Sequence, residues 1–392
     1  MPRLATSLLR EAYAIHPCLP LLLRPCRDLQ AARNELRWLC EHAGKVARLR
    51  RAKGRDADPK QLLKRLVQER AAGKPLQYLL GTEFFGDLEI RCQPGVLIPR
   101  QETAASVMHL TRLLRAALDL PPELRVLDLC TGTGCIPLLI ADELTRCRQD
   151  VQLRLLGVDV SDKALRLAQY NLHQTQRKGR LSDTAKVAFI HADLLMEPFD
   201  VQPAQTLCLK KAMNYSRVPP FWDVFVSNPP YISPAAYWKT TTRSVRGFEP
   251  KLALVPPLPA DPATDTEHGD IFYPHLLAMA RDVEAKIVLL EVADLAQAGR
   301  VAEMAQNMAI FDGIEIWRDQ PDQPAEERGA QPSRFPIIGQ GNGRSVLCWR
   351  ARGGSWLGKG PSPVSPLDDA RRLWESHRVS SSFFDFKFNS RL

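Results

Sequence analysis

The sequence predicts an α/β fold, a mostly parallel sheet with flanking helices behind a small N-terminal helical domain. Three observations predict it. Short apolar runs recur through the middle of the chain at Leu124–Cys130, Leu153–Val160, Lys186–Ile190 and Asp223–Ser227, each running into a polar or glycine-bearing loop. An apolar stretch of helical length, Ile136–Leu144, stands between the first two, so strand and helix alternate as in a parallel sheet. Ahead of them Leu29, Ala32, Leu36, Leu39 and Cys40 repeat at helical spacing instead. At 392 residues the chain is long enough for more than one core.

The N-terminus is basic. Residues 1–55 hold twelve Arg and Lys against Glu11, Asp28, Glu35 and Glu41, a net of +8 out of +9 for the whole chain. The opening carries Arg3, Arg10, Leu4, Leu8 and Leu9 with no acid before Glu11. That suits an amphipathic, Arg-bearing targeting helix, and equally the first helix of a helical domain. Pro17, Pro20 and Pro25 are expected to end helical potential soon afterwards. After a polar break at Arg50–Pro59, Leu62, Leu63, Leu66 and Val67 mark another helix that ends near Gly73. The basic helical faces read either as solvated surface or as a docking face for something anionic: ribosomal RNA, nucleic acid or an acidic protein. No motif for sequence readout of RNA or DNA accompanies them, so direct nucleic-acid binding is not expected.

Composition removes several classes. Hydrophobics at 45% and charged residues at 25% are globular values, against general disorder. The longest apolar runs, such as Leu19–Leu23, are short and interrupted, so no membrane span is expected. Nine cysteines, without a CxxC pair or Cys/His cluster at zinc spacing, point to a reducing compartment and to no metal site.

The central unit carries the chemistry. Leu124–Cys130 reads as a buried strand ending in Asp128 and Cys130, then Thr131-Gly132-Thr133-Gly134, then the Ile136 helix. A strand, a glycine turn and a helix start make a nucleotide crevice, because glycines let the backbone approach a ligand closely. Asp159, at the end of the next strand, suits a pair of ribose hydroxyls, since a carboxylate accepts both hydrogen bonds. It lies 31 residues beyond Asp128, which requires a hydrophilic insertion around Cys147–Gln152. Ser161 reads as the cap of the following helix. Asp193 and Leu194, after the third strand, are placed to bind an adenine amino group and to cover the ring; the bland reading of Asp193 is a loop-turning acid. The full GxGxxG cradle and the P-loop lysine are missing, which favours S-adenosylmethionine over NAD or ATP.

The fourth strand runs directly into Asn228-Pro229-Pro230-Tyr231. Two prolines fix the backbone and remove two donors, so the loop presents acceptors. The Asn228 carboxamide oxygen and the Pro229 carbonyl can both take a hydrogen bond from one NH2 group, and Tyr231 offers a face for a planar group. An amide or exocyclic amine nitrogen is a poor nucleophile, so orientation toward a sulfonium methyl is what a catalyst must supply.

These residues resemble the HemK/PrmC family of S-adenosylmethionine-dependent protein-glutamine N5-methyltransferases. The resemblance runs from about Lys74 to Arg350. It rests on Pro75–Gly81, Phe84-Phe85-Gly86, Val96–Thr103, Asp128–Gly134 and Asn228–Tyr231. It implies a Rossmann-like class I methyltransferase sheet and a release factor as protein partner. It also implies that Asn228 binds the amide of a glutamine held in a Gly-Gly-Gln loop. The organisation expected is a targeting segment over 1–25, which reads equally as a first helix, a helical substrate-docking domain over 26–85, the methyltransferase domain over 86–352 and a Ser/Pro-rich tail over 353–392. Extended, basic, proline-interrupted N-termini are expected of organellar forms, hence a mitochondrial location, with the cytoplasm as the alternative. Cys130 and Gln101 depart from the glycine and proline of many members, Val292-Ala293-Asp294 follows the strand that ends at Glu291 in place of Ile-Gly, and 199–221 and 256–268 read as insertions. Phe311–Trp317 and Ser345–Trp349 read as closing strands. Three other functions use the same parts: methylation of a ribosomal-protein glutamine, methylation of a nucleic-acid adenine, and a non-catalytic assembly role.

Overall fold

The computed structural model describes residues 4–196, 206–258, 264–324 and 333–359. Five helices come first: α1 (Thr6–Ile15), α2 (Leu19–Cys26), α3 (Leu29–Arg51), α4 (Pro59–Ala71) and α5 (Leu76–Leu80). Asp28 caps α3 by accepting the Ala31 N–H at 2.7 Å, and Asp58 caps α4 by accepting that of Lys60 at 2.9 Å. Ala32, Leu36, Leu39, Ala43 and Ala47 form the buried stripe of α3 and share a core with Leu62, Leu66 and Val67 of α4. Cys40 is exposed. The stripe continues through Ala43, four residues after Leu39, which leaves Cys40 on its flank.

Helix α1 ends at Ile15, ahead of Pro17 as expected, but Pro20 and Pro25 do not end helical structure and instead lie within α2. Pro20 stands in the first turn of α2, where a missing N–H costs nothing, and Pro25 falls one residue from its end. Ala12, Leu19, Leu22 and Leu23 are fully buried in the same core as α3 and α4.

A hairpin of β1 (Thr82–Phe85) and β2 (Leu88–Arg91) follows, then α6 (Gln101–Ala116). The main domain then alternates β3 (Glu123–Leu129), α7 (Cys135–Thr145), β4 (Gln152–Asp159), α8 (Asp162–Arg177) and β5 (Ala185–His191). After α9 (Leu209–Tyr215) come β6 (Val224–Ser227), α10 (Pro234–Thr240), α11 (Arg243–Phe248), α12 (Asp265–Asp270), α13 (Phe272–Asp282) and β7 (Ile287–Glu291). The chain closes through α14 (Leu295–Asn307), β8 (Gly313–Gln320), β9 (Ile337–Ile338), β10 (Gln340–Trp349) and α15 (Gly353–Trp356). Ser161 caps α8, accepting the Ala164 N–H at 3.3 Å.

The sheet order is β5-β4-β3-β6-β7-β10-β8-β9. The strands from β5 to β7 are parallel, and β10 inserts antiparallel between β7 and β8. Residues alternate between two cores: Leu124 and Val126 pack with α6 and α7, while Leu127 and Leu129 pack with α13 and α14. The α/β class follows, as the alternation of strand and helix predicts. Chain direction across the sheet reverses at β3, with β4 to one side and β6 to the other. Such a switch point leaves a crevice at the carboxyl ends of the strands. The tail from 360 onward, where the sequence pattern allows a helix around Leu367–His377, lies outside the described residues, as do 199–205 and 259–263 of the two insertions.

Candidate active site

The crevice at the end of β3 is walled by Cys130 and Gly132, by Asp159 and Ser161 after β4, by Asp193 and Leu194 after β5, and by Asn228 and Pro230 after β6. All eight of these were singled out in the sequence, seven for a site role and Ser161 as a helix cap, and they meet in one cleft. Gly95, Val96 and Leu97 and the segment Pro250–Ala253 complete it, together with Phe272.

The turn after β3 is tightly wound. Cys130, Gly132 and Gly134 all have positive φ, at 63°, 55° and 75°. At Gly132 a Cβ would meet nothing within 4 Å, so the bare backbone faces open cleft. Gly134 serves packing: a Cβ there would approach Phe189 at 2.9 Å and Ala168 at 3.0 Å. Asp159 is tied to the turn. Its Oδ2 accepts the Gly132 N–H at 2.8 Å and its Oδ1 the Ser161 N–H at 2.9 Å. Each oxygen keeps a second acceptor site for a ligand hydroxyl. Burial raises its carboxyl pKa, and these backbone bonds pull it back. Asp193 accepts the Leu195 N–H at 2.9 Å, which turns its loop, while its side of the cleft also carries Leu194.

Asp128, Thr131 and Thr133 lie behind the turn and do not line the cleft. All three are buried, and neither Asp128 oxygen nor either threonine hydroxyl has a hydrogen-bond partner among the described residues. Burial pushes the Asp128 carboxyl up to about 8; the nearby Thr131 hydroxyl lowers it and the Asp159 charge raises it. Orphaned buried acceptors are costly, so this cluster suits a ligand that brings donors or positive charge. An Asp159 with acceptor sites to spare, bare backbone at Gly132, an apolar Leu194 and a buried acidic cluster behind the turn fit an adenosyl ligand with a cationic end.

The loop after β6 is anchored from below. The Asn228 side-chain NH2 donates to Thr103 Oγ1 at 3.3 Å, and the Tyr231 hydroxyl donates to Glu291 Oε1 at 3.1 Å. The Tyr231 carbonyl accepts from Gln297 Nε2 at 3.2 Å. Tyr231 is half-buried against the core that holds α13 and α14, and neither it nor Pro229 lines the cleft itself.

Two features escaped the sequence. The loop over 95–100 is clamped by Glu249, whose carboxylate accepts from Ile98 N–H at 3.1 Å and from Arg100 at 2.8 and 3.0 Å. Tyr78 holds the same loop by donating to the Val96 carbonyl at 2.7 Å. The run Val96–Thr103 marks this loop in the sequence, but nothing in it points to Glu249, about 150 residues away. Among the described residues no group of three His, Cys, Asp or Glu is placed to hold a metal ion, and no helix is long and apolar enough to cross a membrane.

A parallel sheet with an adenosyl-fitting cleft at its switch point, opening on an Asn-Pro-Pro-Tyr loop, defines a class I S-adenosylmethionine-dependent methyltransferase. No family model matches the chain. The mitochondrial MRF1 N(5)-glutamine methyltransferase of Saccharomyces cerevisiae is 33% identical over 259 residues, covering 65% of this chain and 68% of that protein. The probable Schizosaccharomyces pombe counterpart is 35% identical over 62% of this chain and 70% of its own length, and the release factor glutamine methyltransferase of Nitratidesulfovibrio vulgaris is 30% identical over 66% and 73%. The chain belongs to the HemK/PrmC family of protein-glutamine N5-methyltransferases, and its cofactor is S-adenosylmethionine.

Proposed function

We propose that this protein methylates the side-chain amide nitrogen (N5) of the glutamine in the Gly-Gly-Gln loop of a mitochondrial peptide chain release factor. The observation that carries the reading is the anchored Asn228 at the cleft wall. One N–H of its NH2 group is given to Thr103, which leaves its oxygen to accept from a substrate at the cleft it lines. That oxygen and the Pro229 carbonyl take the two N–H bonds of the substrate amide, and the Tyr231 ring supports its plane. Asp159 holds the ribose, Asp193 and Leu194 the adenine, and Gly132 lets the backbone close on the cofactor. Asp128, Thr131 and Thr133, buried behind the turn, would supply negative charge and hydroxyls near its cationic end.

When bound, S-adenosylmethionine supplies a sulfonium methyl whose S–C bond breaks as the N–C bond forms. The amide nitrogen gains the methyl and sheds one proton afterwards, so no side chain needs to act as base beforehand. The names of the relatives support a release factor as substrate, and those of the two yeast relatives support the mitochondrion. The test is methyl transfer to a release factor with its Gly-Gly-Gln loop intact, against a Gln→Ala control. Asn228→Ala is expected to lower turnover by about 100-fold, roughly 3 kcal/mol of barrier, while still binding cofactor. Near-normal methylation by Asn228→Ala, or equal labelling of the control, overturns the mechanism or the substrate respectively.

A further inference from the structure

A carboxamide is nearly symmetric in shape, and a half-turn about its last bond exchanges an acceptor for a donor. Pointed the wrong way, Asn228 would set its own NH2 against the NH2 of the substrate. Something must hold it, and the proline on its C-terminal side constrains only backbone. The side-chain contacts supply the answer. The Thr103 hydroxyl donates to Glu291 Oε2 at 2.5 Å, so its proton is committed and it has only lone pairs left for Asn228. The carboxamide can meet it only with NH2. The Tyr231 hydroxyl donates to the other oxygen of the same carboxylate, at 3.1 Å.

We infer that Thr103 and Glu291 are positioning residues for the methyl-transfer loop: one buried carboxylate fixes both the direction of the Asn228 carboxamide and the seat of the Tyr231 ring. This inference rests on the reading of Asn228 given above. Its frame is rigid. Thr103 sits in the first turn of α6 and Glu291 ends β7, the strand beside β6. The β6–β7 register pairs Ser227 with Leu290, so the next step along each strand brings Asn228 and Glu291 side by side. The Glu291 backbone carbonyl accepts from the buried Tyr273 hydroxyl at 2.9 Å. Thr103, Asn228 and Glu291 border a cavity of only about 10 Å³, room for one water at most, and the other hydroxyls on it are engaged elsewhere, Ser106 with Ser345 at 3.1 Å and Ser227 on the Leu129 carbonyl at 2.8 Å. Burial raises the Glu291 carboxyl pKa, while the Thr103 hydroxyl, the nearby Arg344 charge and the Tyr231 hydroxyl pull it back toward the carboxylate that accepts from both hydroxyls.

The test separates direction from mere support. Thr103→Val keeps the shape and removes the acceptor. It is expected to lower kcat by about 10- to 100-fold, the cost of a misdirected catalytic contact, with KM for the release factor and Kd for S-adenosylmethionine little changed. Thr103→Ser restores the hydroxyl and is expected to recover most of kcat. Glu291→Gln presents an NH2 to one of two donor hydroxyls; it should lose kcat in the same way, and it serves if Thr103→Val does not fold. A Thr103→Ser enzyme as slow as Thr103→Val, or normal kcat in both Thr103→Val and Glu291→Gln while Asn228→Ala is inactive, overturns the inference. An active Asn228→Ala overturns the reading beneath it instead.

Discussion

Single residues around the turn after β3 carry unusual costs. Asp128 is the largest. Its ordinary carboxylate pKa is near 3.9, and burial moves it to about 8 in the folded chain. A raised acid binds its proton in the folded state at pH values where the unfolded chain has released it. Its contribution to stability is therefore fully present below about pH 4 and lost as pH rises through 8. Asp128→Asn should flatten that part of the pH–stability curve and leave the cofactor-free protein more stable at pH 8, by up to roughly 5 kcal/mol. Chemical denaturation of both proteins at pH 5 and pH 8 measures it, and parallel curves would refute it. The same carboxyl should ionise when the cationic end of the cofactor arrives, so cofactor binding near neutral pH should release a proton from wild type but not from Asp128→Asn. Calorimetry in two buffers of different ionisation enthalpy reads that difference. Cys130 is the second cost, a side chain held at φ 63° where the sequence already departs from glycine. Cys130→Gly should relieve about 1 kcal/mol of left-handed strain, visible as a higher melting temperature with the cleft intact.

At the scale of elements, the clamp between the loop over 95–100 and Glu249 joins two parts of the cleft wall. The Glu249 side chain is 1% exposed and that of Arg100 is 31%. Removing the carboxylate strands a partly buried guanidinium and the Ile98 N–H. Glu249→Ala should therefore cost about 3 kcal/mol and, by freeing Gly95–Leu97, weaken cofactor binding more than a distant mutation of equal instability. Thermal denaturation with cofactor titration compares the two; an unchanged Kd would make the clamp purely structural. This element also shows what a sequence reveals. Runs that are local in sequence, such as the helical stripe of α3, the Ser161 cap and the strand–turn–helix at Leu124–Leu144, were legible because their physics is local. The turn, Asp159, Asp193 and Asn228 could be assembled because each ends a parallel strand at the same edge of one sheet. Glu249 with Arg100, and Glu291 with Thr103, were not legible: they lie some 149 and 188 positions apart, and no periodicity links them. Pro20 misled for another reason, since proline breaks a helix interior but not its first turn, and Pro25 falls in the last turn of α2, where the helix ends a residue later.

For the whole molecule, the open matter is what the basic N-terminal helices do. Every described residue of the adenosyl cleft lies between Gly95 and Phe272, so the cofactor site owes no wall to α1–α4. The two regions nevertheless touch. Ser244 of α11 donates to the Gly73 carbonyl, and Tyr78 of α5 reaches the loop over the cleft. A helical domain that borders the cleft without lining it is suited to holding a protein substrate, and this division yields a discriminating truncation. Removing residues through Pro25 strips Leu19, Leu22 and Leu23 from the helical core, each worth about 2 kcal/mol of burial. The shortened chain should bind S-adenosylmethionine with nearly unchanged Kd, yet its KM for the release factor should rise at least several-fold as α3 and α4 loosen. Equal losses in cofactor binding and in methylation would mean that the helices support the whole fold and have no separate docking role. The same packing constrains targeting. If Met1 to about Leu23 carries a mitochondrial address, a fusion of that segment should enter mitochondria and Arg3→Glu with Arg10→Glu should abolish entry. The imported full-length protein should still retain Leu19–Leu23, because they complete a core that the catalytic form needs. Mass spectrometry of its N-terminus decides: a mature chain beginning after Leu23, with full activity on the release factor, would show that this part of the helical core is dispensable.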